Sequence, residues 1–181
     1  RGLGDVYKRQ LWGAVATVAI VEDDRVRWGH IGDSVLLQLP RASGLHACTP
    51  DQVVAASRLL ATLPADEVTA AGGRERYARS RLRNRPEEAV SYGVLTGEPA
   101  AEQYVVTGEL AVARGDRLAL CTDGLGSLRN DAGWAALEPW LRGPFEVSLL
   151  ERLLLAAEKA DHRLRTRSDD KTVVLAEVAG S

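Results

Sequence analysis

Residues 14–39 read AVATVAIVEDDRVRWGHIGDSVLLQL, and the architecture depends on how this run is parsed. Residues 14–21 are small or β-branched apolar side chains, the composition of a largely buried strand. Asp23-Asp24 supplies turn chemistry. The chain then resumes with Val26, Trp28 and His30 alternating against Arg27 and Gly29, the strand period that turns one face to a core. After Gly32-Asp33-Ser34, residues 35–39 continue as strand until Pro40. The run predicts a long β-hairpin with a polar interruption on its return arm.

Outward from this hairpin, Thr49-Pro50-Asp51-Gln52 has the form of a helix start. Thr49 suits the cap, Pro50 the first helical position, and Gln52 a capping box. Val53, Val54, Leu59, Leu60 and Leu63 give that helix an apolar side. The arginine-dense stretch 65–88 predicts a helix with solvated faces. Residues 104–106 and 110–112 read as short strands separated by a Gly108-Glu109 turn, and 117–121 as an apolar strand ended by Asp123-Gly124. Trp134, Leu137 and Leu141 recur at helical spacing, with Gly143 placed to end the helix. Ser148 with Glu151 forms a possible capping box opening an amphipathic helix from Leu149 to about Leu164, and 172–178 closes as a strand. Strands group with strands and helices with helices, which predicts an α+β domain.

Composition narrows the function classes. The 181 residues carry a formal net charge of -2, with no global pull toward nucleic acid or an anionic membrane. No apolar run approaches the roughly 20 residues needed to span a bilayer. Nothing near the N-terminus has the order of a secretion signal. The two cysteines, Cys48 and Cys121, have neither CxxC nor Cys/His spacing, so no disulfide framework or zinc site is suggested and a reduced cytoplasmic compartment fits. Cys121, inside an apolar run, reads as a core thiol. The sequence contains no methionine, and residues 1–10 are polar and lack the apolar patterning found from Trp12 onward. The stretch Asp5-Val6-Tyr7-Lys8-Arg9-Gln10 resembles a translated sequencing adaptor. Residues 1–10 are therefore set apart as a scar or disordered tail, and 11–181 form the single domain.

Three acidic positions share one local setting: a strand edge beside Gly, Ser or another Asp. They are Asp33 in Gly32-Asp33-Ser34, Asp123 in Thr122-Asp123-Gly124, and Asp169 in Ser168-Asp169-Asp170. Each alone reads as a turn. Together they have the form of a hard-cation site, in which sheet edges hold carboxylates at fixed separation for Mg²⁺ or Mn²⁺.

These segments carry a resemblance. Ala14-Val15-Ala16-Thr17 leading to His30-Ile31-Gly32-Asp33-Ser34 resembles the paired "AT…GDS" strands of the type 2C protein serine/threonine phosphatases, a metal-dependent family. Residues 115–125, GDRLALCTDGL, resemble its "GDxxLLxSDGL" segment, and 168–174, SDDKTVV, its closing "xDNxTVVxV" strand. The motifs run in the family's order from about Trp12 to Val178 and look most like its bacterial branch. The resemblance implies a two-sheet antiparallel β-sandwich flanked by helices (αββα), here without its N-terminal strand or strands. It also implies a binuclear Mn²⁺ or Mg²⁺ centre hydrolysing phosphoserine and phosphothreonine on proteins by a metal-activated water. Asp123 and Asp169 match the metal ligands of that catalytic centre, and Asp33 matches a residue that helps hold a weaker third metal. The implied partners are phosphorylated proteins and a cognate serine/threonine kinase, with the phosphatase acting as a monomer.

Three departures stand out. The family's upstream Asp-Gly-x-Gly-Gly metal motif has no counterpart, so the chain is expected to be N-terminally truncated and a weak phosphatase by itself. Ser127 stands where a further acidic ligand often occurs, which deprives Asp33 of a partner and puts the third metal in doubt. Asp170 replaces a commoner asparagine. Two other readings share these motifs. One is a pseudophosphatase that binds a kinase or sensor, and the other a stress-response phosphatase acting on anti-sigma-factor antagonists. Outside the acidic set, His30 reads as a satisfied sheet histidine, His46 and His162 as solvated, and Asp116 as a turn residue. The arginines at 74, 76, 79, 81, 83 and 85 read as a solvated surface, with docking of a phosphopeptide the sharper alternative.

Overall fold

The hairpin begins as expected. In the computed structural model, which describes residues 13–164 and 170–179, β1 (Ala16–Glu22) and β2 (Arg25–Ile31) are joined at Asp23-Asp24. Asp23 takes a left-handed φ of 45°, which its short polar side chain tolerates. The return arm then departs from the expectation. β3 (Val35–Leu39) does not continue β2 but joins a second sheet. The switch falls at Gly32, whose φ of +102° is open to glycine at little cost.

The first sheet runs in the order β1-β2-β5, with β5 spanning Val106–Ala111. The expected turn at Gly108-Glu109 is absent, and β5 passes straight through it. The indole of Trp28 covers Gly108 so closely that a Cβ there would lie 2.3 Å from Trp28 Cζ2, so the glycine serves packing. The second sheet runs β4-β3-β6-β7, where β4 is His46–Ala47, β6 Arg117–Cys121 and β7 Val173–Glu177. β6 pairs antiparallel with β3 and β7, with Leu37 opposite Ala119 and Ala119 opposite Leu175. The architecture is two antiparallel sheets with flanking helices, as the resemblance implied.

The chain divides into two units. One holds Gly29–Gly32 and Asp51–Val106 with the described residues up to Ala16, and the other Thr17–Trp28, Asp33–Pro50 and the residues from Thr107 on. In the second unit, β3 is buried along its whole length, and its alternation sorts side chains into two cores. Leu36 joins Val26, Val112 and Leu118 between the sheets. Val35, Leu37 and Leu39 pack with Ala119, Cys121, Leu125, Leu149, Leu153 and Ala157 on the other face. The last three of these come from α5 (Val147–Leu164), which begins earlier than expected. The Ser148 hydroxyl donates to Glu146 at 2.6 Å, so the expected capping box with Glu151 is not formed. Trp134, Leu137 and Leu141 fall on a 3₁₀ turn (Trp134–Leu137) and the single helical turn α4 (Glu138–Leu141).

In the first unit, α1 (Val54–Thr62) starts later than expected. Asp51 Oδ1 accepts from Val53 N at 3.1 Å, and Gln52 is drawn away to Gly32 and Tyr104. Thr49, in the second unit, does not cap; its hydroxyl accepts from Leu36 N at 3.0 Å. The arginine-dense stretch is broken rather than one helix: α2 (Ala65–Ala70), a turn, then α3 (Arg74–Tyr77) running into a wide π turn, Ala78–Leu82. No helix among the described residues is long and apolar enough to cross a membrane.

Candidate metal centre

The ladder of the second sheet places the acidic motifs. Val35 pairs with Cys121 and Cys121 with Val173. Continued two positions past the strand ends, the same register sets Asp33 level with Asp123, and Asp123 level with Lys171. Two carboxylates 90 positions apart (123 minus 33) thus leave the same end of the same sheet. Asp33 is half-buried, and Asp123 and Asp170 are exposed. Asp169 lies outside the described residues.

Each segment is held by neighbours that motif reading passed over. Within the first unit, both backbone groups of Gly32 are pinned by Gln52. Gly32 N donates to Gln52 Oε1 at 2.9 Å, and Gln52 N donates to Gly32 O at 3.1 Å. The same carbonyl meets His30 Nε2 at 3.0 Å, and His30 is only 2% exposed, so this histidine is a satisfied sheet residue as expected. In the second unit, the Ser34 and Thr17 hydroxyls lie 2.7 Å apart and tie the start of β3 to β1.

At the other carboxylate, Thr122 joins the two C-terminal segments. Its hydroxyl donates to Asp170 O at 3.1 Å and accepts from Thr172 N at 2.9 Å, while its own N–H donates to Thr172 O at 3.1 Å. Gly124 permits the approach, because a Cβ there would lie 2.4 Å from the Asp170 carbonyl oxygen. Lys171 turns inward. Its ammonium pairs with Asp161 on α5 and lies 3.2 Å from Glu158; the Lys171 and Asp161 side chains are 7% and 8% exposed. The hydrogen bond to Asp161, with help from Glu158, raises the Lys171 pKa above the ordinary lysine range. The signal for Asp161 was present in the sequence: it extends the buried stripe Leu149, Leu153, Ala157 and Ala160 of α5 with a carboxylate.

Carboxylate oxygens are hard donors, and a pair at fixed separation on strand exits suits Mg²⁺ or Mn²⁺ chemically. Among the described residues, no three of His, Cys, Asp and Glu gather closely enough to hold an ion by themselves. The donor chemistry fits a hard dication, for which Asp33 and Asp123 would be candidate ligands. Ser127, at the position where an acidic ligand often stands, donates its hydroxyl to Ala157 O at 3.2 Å and so ties its turn to α5.

The remaining sequence candidates have structural places. Asp116, 6% exposed, is a turn residue as read, and both its oxygens accept backbone N–H groups. His46 and His162 are exposed. Both cysteines are free thiols.

No protein-family model matches the chain, and no curated protein sequence does either. Solved structures do. The Mycobacterium tuberculosis serine/threonine phosphatase PstP/Ppp aligns at a TM-score of 0.62 and 23% identity, over 92% of this chain and 60% of that one. The catalytic domain of PstP, in complex with 2 manganese ions, aligns at 0.61 and 26% identity, over 92% of this chain and 59% of that one. An S. agalactiae serine/threonine phosphatase aligns at 0.57 and 17% identity, over 96% of this chain and 71% of that one. The chain thus spans about 60% of the length of the two PstP structures. By its fold the chain is similar to bacterial serine/threonine protein phosphatases.

Proposed function

We propose that the protein hydrolyses phosphoserine and phosphothreonine on other proteins. In this reading Asp123 and Asp169 hold two Mn²⁺ or Mg²⁺ ions, and Asp33 helps hold a further, weaker one. The observation that carries the reading is the shared register, which brings the exits of β3 and β6, with Asp33 and Asp123, to one end of one sheet. The manganese-bound PstP domain of the same fold supports the choice of ion. Ions bound there would supply a water of lowered pKa, so that hydroxide is available near neutral pH. The chain's own residues do the positioning. Thr122 and the buried Lys171–Asp161 pair hold the segment just after Asp169, Gly32 is fixed before Asp33, and Gly124 lets the two C-terminal segments close on each other. The proposed partners are phosphorylated proteins and a kinase that opposes it. The free thiols support a reducing, cytoplasmic setting.

The test is Mn²⁺ titration by calorimetry beside turnover of a phosphothreonine peptide, with and without EDTA. In the full-length protein, saturable Mn²⁺ binding and EDTA-sensitive turnover are expected, and both should be lost in Asp123→Ala and Asp169→Ala. Activity that survives EDTA would overturn the mechanism. Intact folding with no Mn²⁺ binding would turn the reading to a pseudophosphatase.

A further inference from the structure

β6 has a second end, and a different chemistry collects there. Arg41 lies just beyond β3, Arg114 precedes β6, and with Arg117, Arg142, Glu177 and Val178 they line a concavity of about 640 Å³. Its rim is pinned by the buried carboxylate of Asp116. Oδ1 accepts from Arg41 N at 2.9 Å and Oδ2 from Ala113 N at 3.0 Å. Gly115 N donates to Val178 O at 2.9 Å, and Val178 N donates to Asp116 O at 2.9 Å. Three chain segments therefore meet at fixed points.

The four guanidinium groups are not equivalent. Arg117 donates to Glu177 at 2.9 Å and to the carbonyls of Leu141 and Gly143, and it lies 5.5 Å from the Phe145 ring centroid. Arg142 donates to Glu138 at 2.7 Å and to the Ser43 carbonyl. Glu177, the lining's carboxylate, is thus already engaged. Arg41 and Arg114 are exposed, and among the described residues neither has a side-chain partner. The Arg41 stem crosses Gly115, where a Cβ would lie 3.5 Å from Arg41 Cδ, so its head is carried toward the turn that bears Arg114.

Two guanidinium forks without side-chain partners line one rim, and their donors match the geometry of an oxyanion. A cleft of a few hundred Å³ is sized for a small molecule. We propose that this pocket binds a small phosphate-bearing anion, gripped by Arg41 and Arg114 at the end of the sheet away from Asp33 and Asp123. Arg117 and Arg142 form its wall and add positive potential. Such a site goes beyond phosphatase chemistry at the acidic end and stands without it.

The test is calorimetric titration of inorganic pyrophosphate into the protein with EDTA present, so that no metal at the acidic end takes up the ligand. Arg41→Gln/Arg114→Gln should weaken binding at least about tenfold, while Asp123→Asn leaves it unchanged. Thermal unfolding should show the double variant as stable as the parent, since neither guanidinium has a hydrogen-bond or ion-pair partner among the described residues. If it unfolds, Arg114→Gln alone, on an exposed turn, should still weaken binding severalfold. Equal affinity in parent and arginine variant, loss confined to Asp123→Asn, or no binding up to about 10 mM would each overturn the proposal.

Discussion

The two ends of the second sheet share the same strands and differ in almost everything else. At one end β3 and β6 exit into Asp33 and Asp123, half-buried and exposed carboxylates. At the other end the same strands meet Arg41 and Arg114, and the carboxylate there, Asp116, is buried. Asp33 and Asp123 stand at strand exits within reach of solvent, whereas Asp116 gives both oxygens to backbone N–H groups and becomes a structural clamp. The net charge of -2 conceals this separation. Residue type alone does not assign a role to an aspartate; burial and the donors around it do.

The largest expected effect tests the acidic end. In the full-length protein, Asp123→Ala should reduce Mn²⁺-dependent phosphopeptide turnover at least about 100-fold, because even losses around a metal's ligands cost about 10- to 100-fold. Arg114→Gln, at the basic end, should leave turnover unaltered. Comparable losses from both would erase the distinction between the ends.

Next is the ion pair behind the acidic end. Lys171→Ala removes the ammonium that pairs with buried Asp161 and should lower stability in urea denaturation. Lys171→Met combined with Asp161→Leu should recover most of that stability while Mn²⁺ affinity stays lowered. Full recovery of both would show that the pair does nothing for the metal segment.

A smaller effect is expected from the clamp at the basic end. Asp116→Ala orphans the N–H groups of Arg41 and Ala113 and should cost about 1–3 kcal/mol. It should also weaken pyrophosphate binding, because the rim is no longer fixed. Unchanged pyrophosphate affinity would mean that the arginines act without it.

The smallest effect probes the middle of the ladder. Cys121 on β6 is 3% exposed, and burial pushes its thiol up to about 12. Burial likewise raises Cys48 to about 11. At pH 8 neither thiol should react with iodoacetamide in the native state, and both should react in urea. The folded state keeps protons that the unfolded thiols release above about pH 9, so this contribution to stability falls as pH rises from there to about 11 for Cys48 and about 12 for Cys121. Rapid native alkylation would show that the strands between the two ends are open to water.

Much of this was legible in the amino-acid order. Alternation and β-branching located β1, β2, β3, β6 and β7, because local periodicity is a property of neighbouring residues. Gly32-Asp33-Ser34 and Thr122-Asp123-Gly124 announced the carboxylates, because short polar residues at strand exits leave a short-range pattern. What sequence could not show was non-local. The alternation of β3 is the same whether it pairs with β2 or with β6, so only tertiary pairing, Val35 with Cys121, moved it to the second sheet. Gly108 looks like a turn until Trp28, eighty positions earlier (108 minus 28), is laid across it. The roles of Gln52, Thr122, Lys171 and Asp116 likewise depend on partners brought near by folding. Their hydrogen bonds reach across chain separations that carry no periodic signal. Thus the chain order by itself marked most of the strands and named the acidic residues, and the tertiary structure alone decided which aspartates stand at a strand exit and which are buried to hold the backbone.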